Sequence, residues 1–128
     1  MSFKAVLEVA GKKYNILNVN YGLFQETDAT GRPSTITRGG KVDVTVEGTG
    51  STELFEWMTN SFERKDGSIK FIKRDSDATL KELKFKEAYI VKYTENFDAS
   101  GENPLTETFV LSAKEIELGN AKHVNEWV

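Results

Sequence analysis

The residues of this chain that are capable of catalytic chemistry are few and scattered. There is no cysteine, and the single histidine, His123, lies in a polar segment near the C-terminus. A serine nucleophile of the hydrolase type needs a Gly-x-Ser-x-Gly turn, which the sequence does not contain. The carboxylates are numerous but form no recognisable pair for general acid–base catalysis. We therefore interpret His123 as a surface residue, assign no catalytic residue, and predict that the protein is not an enzyme.

Two stretches are similar to ligand-binding loops but lack residues that such loops need. The run "GTGSTE" at Gly48–Glu53 lacks the third glycine of a dinucleotide fingerprint and the lysine of a phosphate-binding loop. The run "RDSDATLKE" at Arg74–Glu82 spaces its aspartates like the start of a calcium loop. However, Leu80 stands where the sharp turn demands glycine, and Glu82 comes too early to be the closing ligand. The sequence thus predicts neither a cofactor nor a metal, and Arg74–Glu82 is interpreted as a solvated turn.

The charge balance and the hydropathy argue against two classes of partner. Lysine and arginine number 17 against 20 aspartates and glutamates, which gives a formal charge of −3. That balance provides no general attraction to nucleic acid or to an anionic membrane. No apolar run approaches the length of a membrane span, and the opening "MSFKAVLEVAGKKYN" has no secretory signal. We expect a cytoplasmic protein that does not insert into membranes and that, if exported, leaves without the common signal.

The elements that must carry any functional surface are mostly strands. Alternation of apolar and polar residues at period 2 is typical of half-buried strands, and turn residues at Lys65–Gly67 and Asp98–Pro104 separate them. In one strand the apolar phase slips by one residue between Ile16 and Leu17, which predicts a β-bulge. We expect one domain over residues 1–128, with strands at Phe3–Val9, Tyr14–Phe24, Val42–Val46, Ser68–Arg74, Leu80–Phe97 and Leu105–Leu118.

One segment has a helical period instead. The run "GTGSTELFEWMTNSFER" predicts a helix over about residues 51–63, with Ser51 or Thr52 as its cap. A helix of about three turns is marginal alone in water, so it must dock on the sheet. We predict that its docking face consists of Leu54, Phe55, Trp57, Met58 and Phe62.

The longest predicted strand separates aromatic residues from cations. Proteins that bind single-stranded nucleic acid need both on one surface, so that bases stack while phosphates are paired. Here Lys84, Lys86, Lys92 and Asn96 share one parity and are expected to face solvent. The opposite parity is expected to face inward and consists of Leu83, Phe85, Tyr89, Val91, Tyr93 and Phe97.

A long polar segment, Glu26–Gly40, joins two of the strands, and we call it the arm. Loops longer than about 12–15 residues are uncommon in compact domains and are usually functional or disordered. From the residues alone the arm is either a solvated hairpin or a contact surface. Its candidate contact residues, which offer charges and hydrogen bonds, are Glu26, Asp28, Thr30, Arg32, Ser34, Thr35, Thr37 and Arg38.

The whole chain resembles the haemolysin-coregulated protein (Hcp, or TssD) family of the type VI secretion system, in the form found in Bacteroidetes. No single motif encodes chemistry, so the resemblance depends on the order and combined extent of several runs. These runs are "SFKAVLEVAGKKYNIL" at the start, "DATGRPS" at Asp28–Ser34, "LFEWM" at Leu54–Met58, and the stretch from "DGSIKFIKRDSD" at Asp66 to "LSAKEIELGNA", which ends at Ala121.

The resemblance implies a compact β-barrel of two packed antiparallel sheets with one flanking helix, similar to phage tail-tube proteins. It implies homo-hexameric rings that stack inside a contractile sheath, with spike or tip proteins and effectors as further partners. Some family members carry effectors in the ring lumen. The resemblance also implies that the arm reaches to the next ring of the stack.

Two other classes remain open at this stage. A monomeric β-sandwich module that binds carbohydrate or protein would also be rich in strands and would lack catalytic groups. It would normally carry an export signal or sit in a larger chain. A lipocalin-like barrel would need a hollow apolar interior, whereas the helix and the aromatic residues here are ample to fill one. The sequence does not identify an effector or the lumen-facing residues.

Overall fold

A computed structural model describes residues 3–127 of the chain. Its elements are seven strands and one helix within that range. They are β1 (Phe3–Val9), β2 (Lys12–Tyr21), β3 (Lys41–Glu47), α1 (Glu53–Thr59), β4 (Lys65–Lys73), β5 (Thr79–Phe97), β6 (Leu105–Leu118) and β7 (Ala121–Val124).

The strands form one continuous antiparallel sheet that closes on itself. The order is β3-β2-β1-β4-β5-β6-β7, and an additional pairing of β3 with β6 closes a six-stranded barrel. The short strand β7 is an extra strand on β6 and lies outside the closed ring of strands. The predicted β-barrel with one helix is confirmed.

The bulge predicted in β2 is confirmed. Ile16 lies opposite Val46, whereas Asn18 lies opposite Thr45, so β2 contains one residue more than β3 over this stretch. The extra residue, Leu17, is exposed. A bulge bends its strand and increases the local twist, and this bend lets β2 pair with β1 at one end and β3 at the other.

The prediction of one inward face along β5 is wrong, because two bulges change the phase. Between Gly67 and Lys65 of β4, β5 advances by three residues, and the extra residue is at Glu87. A second extra residue, Val91, lies opposite β6. Leu83, Phe85, Ala88 and Ile90 are therefore buried, Tyr89 is half-buried and Val91 is exposed. After Val91 the original parity returns, so the half-buried Tyr93 lies opposite the buried Phe109, and Phe97 is exposed at the end of the strand.

The first bulge is held by side chains from two neighbouring strands. Glu87 has a left-handed backbone with φ of 49°, and its N–H donates a hydrogen bond to Asp66 Oδ1 at 2.7 Å. Its carboxylate pairs with Arg64 at 2.9 Å and Lys114 at 3.8 Å. The run Lys65–Gly67, which the sequence predicted to be a turn, lies within β4 and supplies this support.

Helix α1 is shorter than predicted, since it covers Glu53–Thr59 rather than about 51–63. The Glu53 N–H donates to Ser51 Oγ at 3.2 Å, so Ser51 supplies a side-chain bond at the helix start. Thr52 is the residue at the cap position, but its hydroxyl bonds the Glu56 carboxylate instead. After Asn60 the chain turns towards β4, and Phe62 lies there with φ of 67°.

The predicted docking face of α1 is buried at two positions and exposed at three. Leu54 and Trp57 are each only 2% exposed. A seven-residue helix presents only a narrow i, i+3 face to its neighbour, and α1 packs mainly on β5. The three exposed residues are Phe55, Met58 and Phe62, at 55%, 37% and 87%, although the Phe55 ring still contacts Tyr93 of β5.

The barrel interior is occupied by a contiguous apolar cluster. Alternate residues of β3 point into it and meet the inner face of β6, where Phe109 and Leu111 are fully buried. The filled interior argues against a lipocalin-like ligand barrel. The fully buried apolar side chains that fill it include Leu7, Val42, Val46, Ile69, Phe85, Phe109 and Leu111.

We expect Trp57→Ala to lower the free energy of unfolding by about 3–5 kcal/mol, as for other large-to-small aromatic changes in a core. The substitution also removes the 2.8 Å hydrogen bond from Trp57 Nε1 to the Glu63 carbonyl. Chemical denaturation measures the loss. Phe62→Ala is the matched control, because an exposed side chain costs at most about 0.5 kcal/mol. A loss below about 1 kcal/mol for Trp57→Ala would contradict the burial of Trp57.

Candidate assembly surfaces

The arm is a folded hairpin rather than an irregular loop. Phe24 and Arg38 exchange two backbone hydrogen bonds of 2.9 and 2.7 Å. Thr27 pairs with Pro33 further out, and the Ser34 N–H donates to the Glu26 carbonyl at 2.7 Å. Because its backbone is already paired, the arm loses less conformational entropy on docking than an unstructured loop would lose.

The tip of the arm is organised around Asp28. One oxygen, Oδ1, accepts hydrogen bonds from the Thr30 N–H at 2.9 Å, the Thr30 hydroxyl at 2.7 Å and the Arg32 N–H at 3.1 Å. The bonds from Thr30, and then the one from Arg32, hold the pKa of Asp28 below its usual range. Gly31 completes the turn with φ of 88°. Asp28 and Thr30 therefore shape the tip.

The other predicted contact residues of the arm divide into two groups. Thr35 is used internally, since its hydroxyl accepts from the Glu26 N–H at 3.0 Å and its carbonyl accepts from Gln25 at 2.9 Å. The rest are exposed, and their side chains make no hydrogen bond or ion pair to any residue between 3 and 127. They are Glu26, Arg32, Ser34, Thr37 and Arg38.

The arm and its base also expose apolar side chains, which the sequence analysis overlooked when it described the segment as polar. Ile36 is 79% exposed, and Leu23 and Phe24 at the base are 54% and 58% exposed. Exposed apolar groups beside arginines are typical of protein–protein contact surfaces. The signal was present in the sequence as three large apolar residues flanking the charged positions.

The base of the arm is anchored by a residue that the sequence analysis did not single out. Asn125 Nδ2 donates to the carbonyls of Gly39 and Ala113, both at 3.0 Å. His123 was predicted to be a surface residue, but it is half-buried in β7, with Nε2 3.1 Å from Asn125 Oδ1. Strand β7 has only four residues, too few for a period-2 pattern to be recognised.

A second apolar surface lies between α1 and β5, and we call it the helix groove. The groove is open to solvent, has a volume of about 540 Å³, and is lined in part by Met58, Phe62 and Val91, which are all exposed. Trp127 packs against Tyr89 at its edge, with ring centroids 5.3 Å apart. Exposed apolar patches of this kind mark interaction sites in soluble proteins.

A buried carboxyl group lies beneath α1. Glu107 is 1% exposed, and Tyr93 Oη donates a hydrogen bond to its Oε1 at 2.5 Å. The other oxygen, Oε2, has no partner among the described residues. Burial raises the pKa of Glu107, and burial together with Glu107 raises the pKa of Tyr93. The ring of Phe55 in α1 packs edge-on against Tyr93.

Between residues 3 and 127 no group of three His, Asp or Glu side chains is arranged to hold a metal ion. No helix in that range is both long enough and apolar enough to cross a membrane.

The comparisons with known proteins identify the family. The chain matches the family model described as "Hemolysin coregulated protein Hcp (TssD)" over residues 1–128. The chain belongs to the Hcp (TssD) family. A search of curated proteins finds no match. The family is one of structural proteins and not of enzymes.

Solved structures agree with the family. Hcp1 from Flavobacterium johnsoniae is 69% identical, with a TM-score of 0.92, over 95% of this chain and 99% of that chain. This similarity confirms the predicted Bacteroidetes form. Hcp1 from Salmonella typhimurium shares the fold at 16% identity and a TM-score of 0.76, over 92% of this chain and 86% of that one.

A more distant structure also shares the fold. It is the sheath-tube complex of the extracellular contractile injection system PVC in its extended state. A chain of that complex is 20% identical, with a TM-score of 0.58, over 92% of this chain and 89% of that chain.

The buried Glu107 of this Hcp-family chain predicts a measurable pH dependence. Its folded-state pKa is raised above the usual value near 4.3, so the folded state binds the proton more tightly. Its contribution to stability is therefore greatest at low pH and falls as the pH rises through the raised pKa. Glu107→Gln removes this titration. We expect the variant to gain stability relative to the parent as the pH rises from about 4 to 7.

Urea denaturation across this pH range checks the expectation. Glu102→Gln, at an exposed position of the β5–β6 turn, is the control, because Glu102 is not among the groups that raise the pKa of Glu107, and it should leave the pH dependence of the parent unchanged. A difference between Glu107→Gln and the parent that stays constant with pH would contradict the raised pKa.

Proposed function

We propose that this chain, as a single tube domain over residues 1–128, is the structural subunit of the inner tube of a type VI secretion system. Six copies form a ring, rings stack inside a contractile sheath, and the tube delivers effectors. The observation that carries the proposal is the family match over residues 1–128, together with 69% identity to Hcp1 from F. johnsoniae.

The free part of β5 supports ring formation. From Val91 to Phe97, β5 pairs with β6 alone among residues 3–127, because β4 ends opposite Ala88. A strand with one unpaired side is a template for pairing with another chain. A ring contact is heterologous, so each copy must present two different surfaces. The free side of β5 and the helix groove beside it supply one of them.

The arm supports ring stacking. Arg32 and Arg38 have planar guanidinium groups that can form two parallel bonds to a carboxylate of the next ring. Neither group is used within the described part of the protomer. The hairpin holds both side chains on a paired backbone, and the exposed Ile36 adds apolar area. In this proposal Glu26, Asp28, Thr30, Ser34, Thr35 and Thr37 complete the stacking surface.

The proposed partners follow from the same role. They are the sheath, the spike or tip proteins and the effectors, some of which travel in the ring lumen. The protein assembles in the cytoplasm and is then secreted. It binds no nucleic acid and does not insert into the membrane. The formal charge of −3 supports the absence of nucleic-acid binding.

Native mass spectrometry and negative-stain microscopy test the ring. We expect a particle of six protomers with a central opening. A monomer across the micromolar range would overturn the proposal and would favour a monomeric module that binds carbohydrate or protein.

The arm is tested by changing Arg32 and Arg38 together to Glu. Surface substitutions usually change stability by no more than about 0.5 kcal/mol, so we expect folded rings. Like charges brought together across an interface cost several kcal/mol, and a ring contact repeats the penalty around the axis. We therefore expect stacking and secretion to stop. Electron microscopy, and immunoblots of the medium and the cell fraction, measure the two effects.

Lys12 and Lys13 changed together to Glu form the matched control, because the charge change is the same and both residues are exposed outside the arm. Normal stacking by the arginine variant would show that the arm is not the joint between rings. Dissociation into monomers would place the arm in the contact within a ring.

A further inference from the structure

Three segments of the chain meet at the base of the arm. Strand β6 pairs with β5 along one edge. Its other edge pairs with β3 as far as Ser112 and with β7 from Glu115 onward. The two residues between these pairings have other partners. The Ala113 N–H donates to the Gly40 carbonyl at 2.8 Å, and the Asn125 N–H donates to the Lys114 carbonyl at 2.7 Å.

The side chain of Asn125 joins these segments. Its Nδ2 donates one bond to Gly39 of the arm base and one to Ala113 of β6, both at 3.0 Å. Both N–H groups of the amide are thus used. Oδ1 lies 3.1 Å from His123 Nε2, which fixes the orientation of the amide. Asn125 and Gly39 are separated by 86 residues in the chain.

The glycines at the base leave no space for another arrangement. Gly40 has φ of 99°, and a Cβ there would lie 2.4 Å from Asn125 Nδ2 and 2.7 Å from the Ala113 carbonyl oxygen. A Cβ on Gly39 would lie 2.4 Å from Leu23 Cδ2. The backbone of the arm therefore leaves the barrel in close contact with Asn125.

We propose that Asn125 is a positioning residue that fixes the direction in which the arm leaves the barrel. At roughly 3.3 Å per extended residue, the six residues from Arg38 to Arg32 span up to about 20 Å. A small rotation at the base therefore moves Arg32 by several ångströms. The direction of the arm matters for stacking only if the proposed function holds, but the anchoring itself is a property of the protomer.

The experiment uses Asn125→Asp in the full-length protein. The aspartate keeps the size of the side chain and an oxygen near His123, but it loses both donors and places a charge beside two carbonyl oxygens. Because the chain has no cysteine, Ala29→Cys at the tip and Lys84→Cys on the barrel accept two spin labels cleanly. Electron–electron double resonance then measures their separation, with labelled protein diluted into unlabelled protein to suppress distances between copies.

The parent should give one narrow distance distribution. In Asn125→Asp we expect a distribution at least about twice as wide, because the base then has more than one allowed direction. Asn103→Asp, in the exposed β5–β6 turn, makes the same charge change and should match the parent. An unchanged width in Asn125→Asp would overturn the proposal.

A second variant, Asn125→Ser, retains a single donor and adds no charge, and it should give an intermediate width. If both variants lose the far-ultraviolet circular dichroism of the barrel, Asn125 is a general folding residue and the proposal is wrong. Where the parent rings stack, Asn125→Asp should reduce stacking while rings persist. A parent that never stacks would count against the proposed function and leave the distance result to decide the role of Asn125.

Discussion

The pairing of β3 with β6 is the constraint on which the rest of the structure depends. It joins strands that are far apart in the chain, with Lys41 opposite Ser112 and Glu47 opposite Thr106. It turns an open sheet into a barrel and brings Val44 against Phe109 in the core. A closed barrel removes the edges of the strands that form it. The strand segments left outside the closure are the ones that remain able to pair with another chain.

Closure also determines where the arm begins. Strand β3 pairs with only part of the edge of β6 that faces away from β5, and β7 pairs with another part of it. Two residues of β6 lie between these two pairings. Gly40 and Asn125 form backbone hydrogen bonds with these two residues. The arm thus starts at the junction of barrel closure and the extra strand, where the backbone is held from three sides.

Local patterns in the sequence predicted most of the fold but not its bends. The alternation in β3 and the slip at Leu17 are visible within single strands, and both match the structure. The bulge at Glu87 is not visible locally, since it depends on Asp66 of β4 and Lys114 of β6. For the same reason Val91 was placed inside, although it is exposed. Phe97 was also placed inside but is exposed at the end of β5. Helix α1 ends at Thr59, so Phe62, assigned to its docking face, lies beyond the helix and is exposed.

The arm shows the same division between local and distant causes. Its turn follows from nearby residues, because an aspartate two residues before a threonine and three before a glycine forms this hydrogen-bonded tip with its own backbone. The sequence indicated that this segment could be functional only through its length and its polar composition. Its anchoring depends on Asn125, 86 residues from Gly39, which no spacing rule connects to it. The arm therefore combines a tip that the local sequence specifies with an anchor that is formed only in the closed barrel.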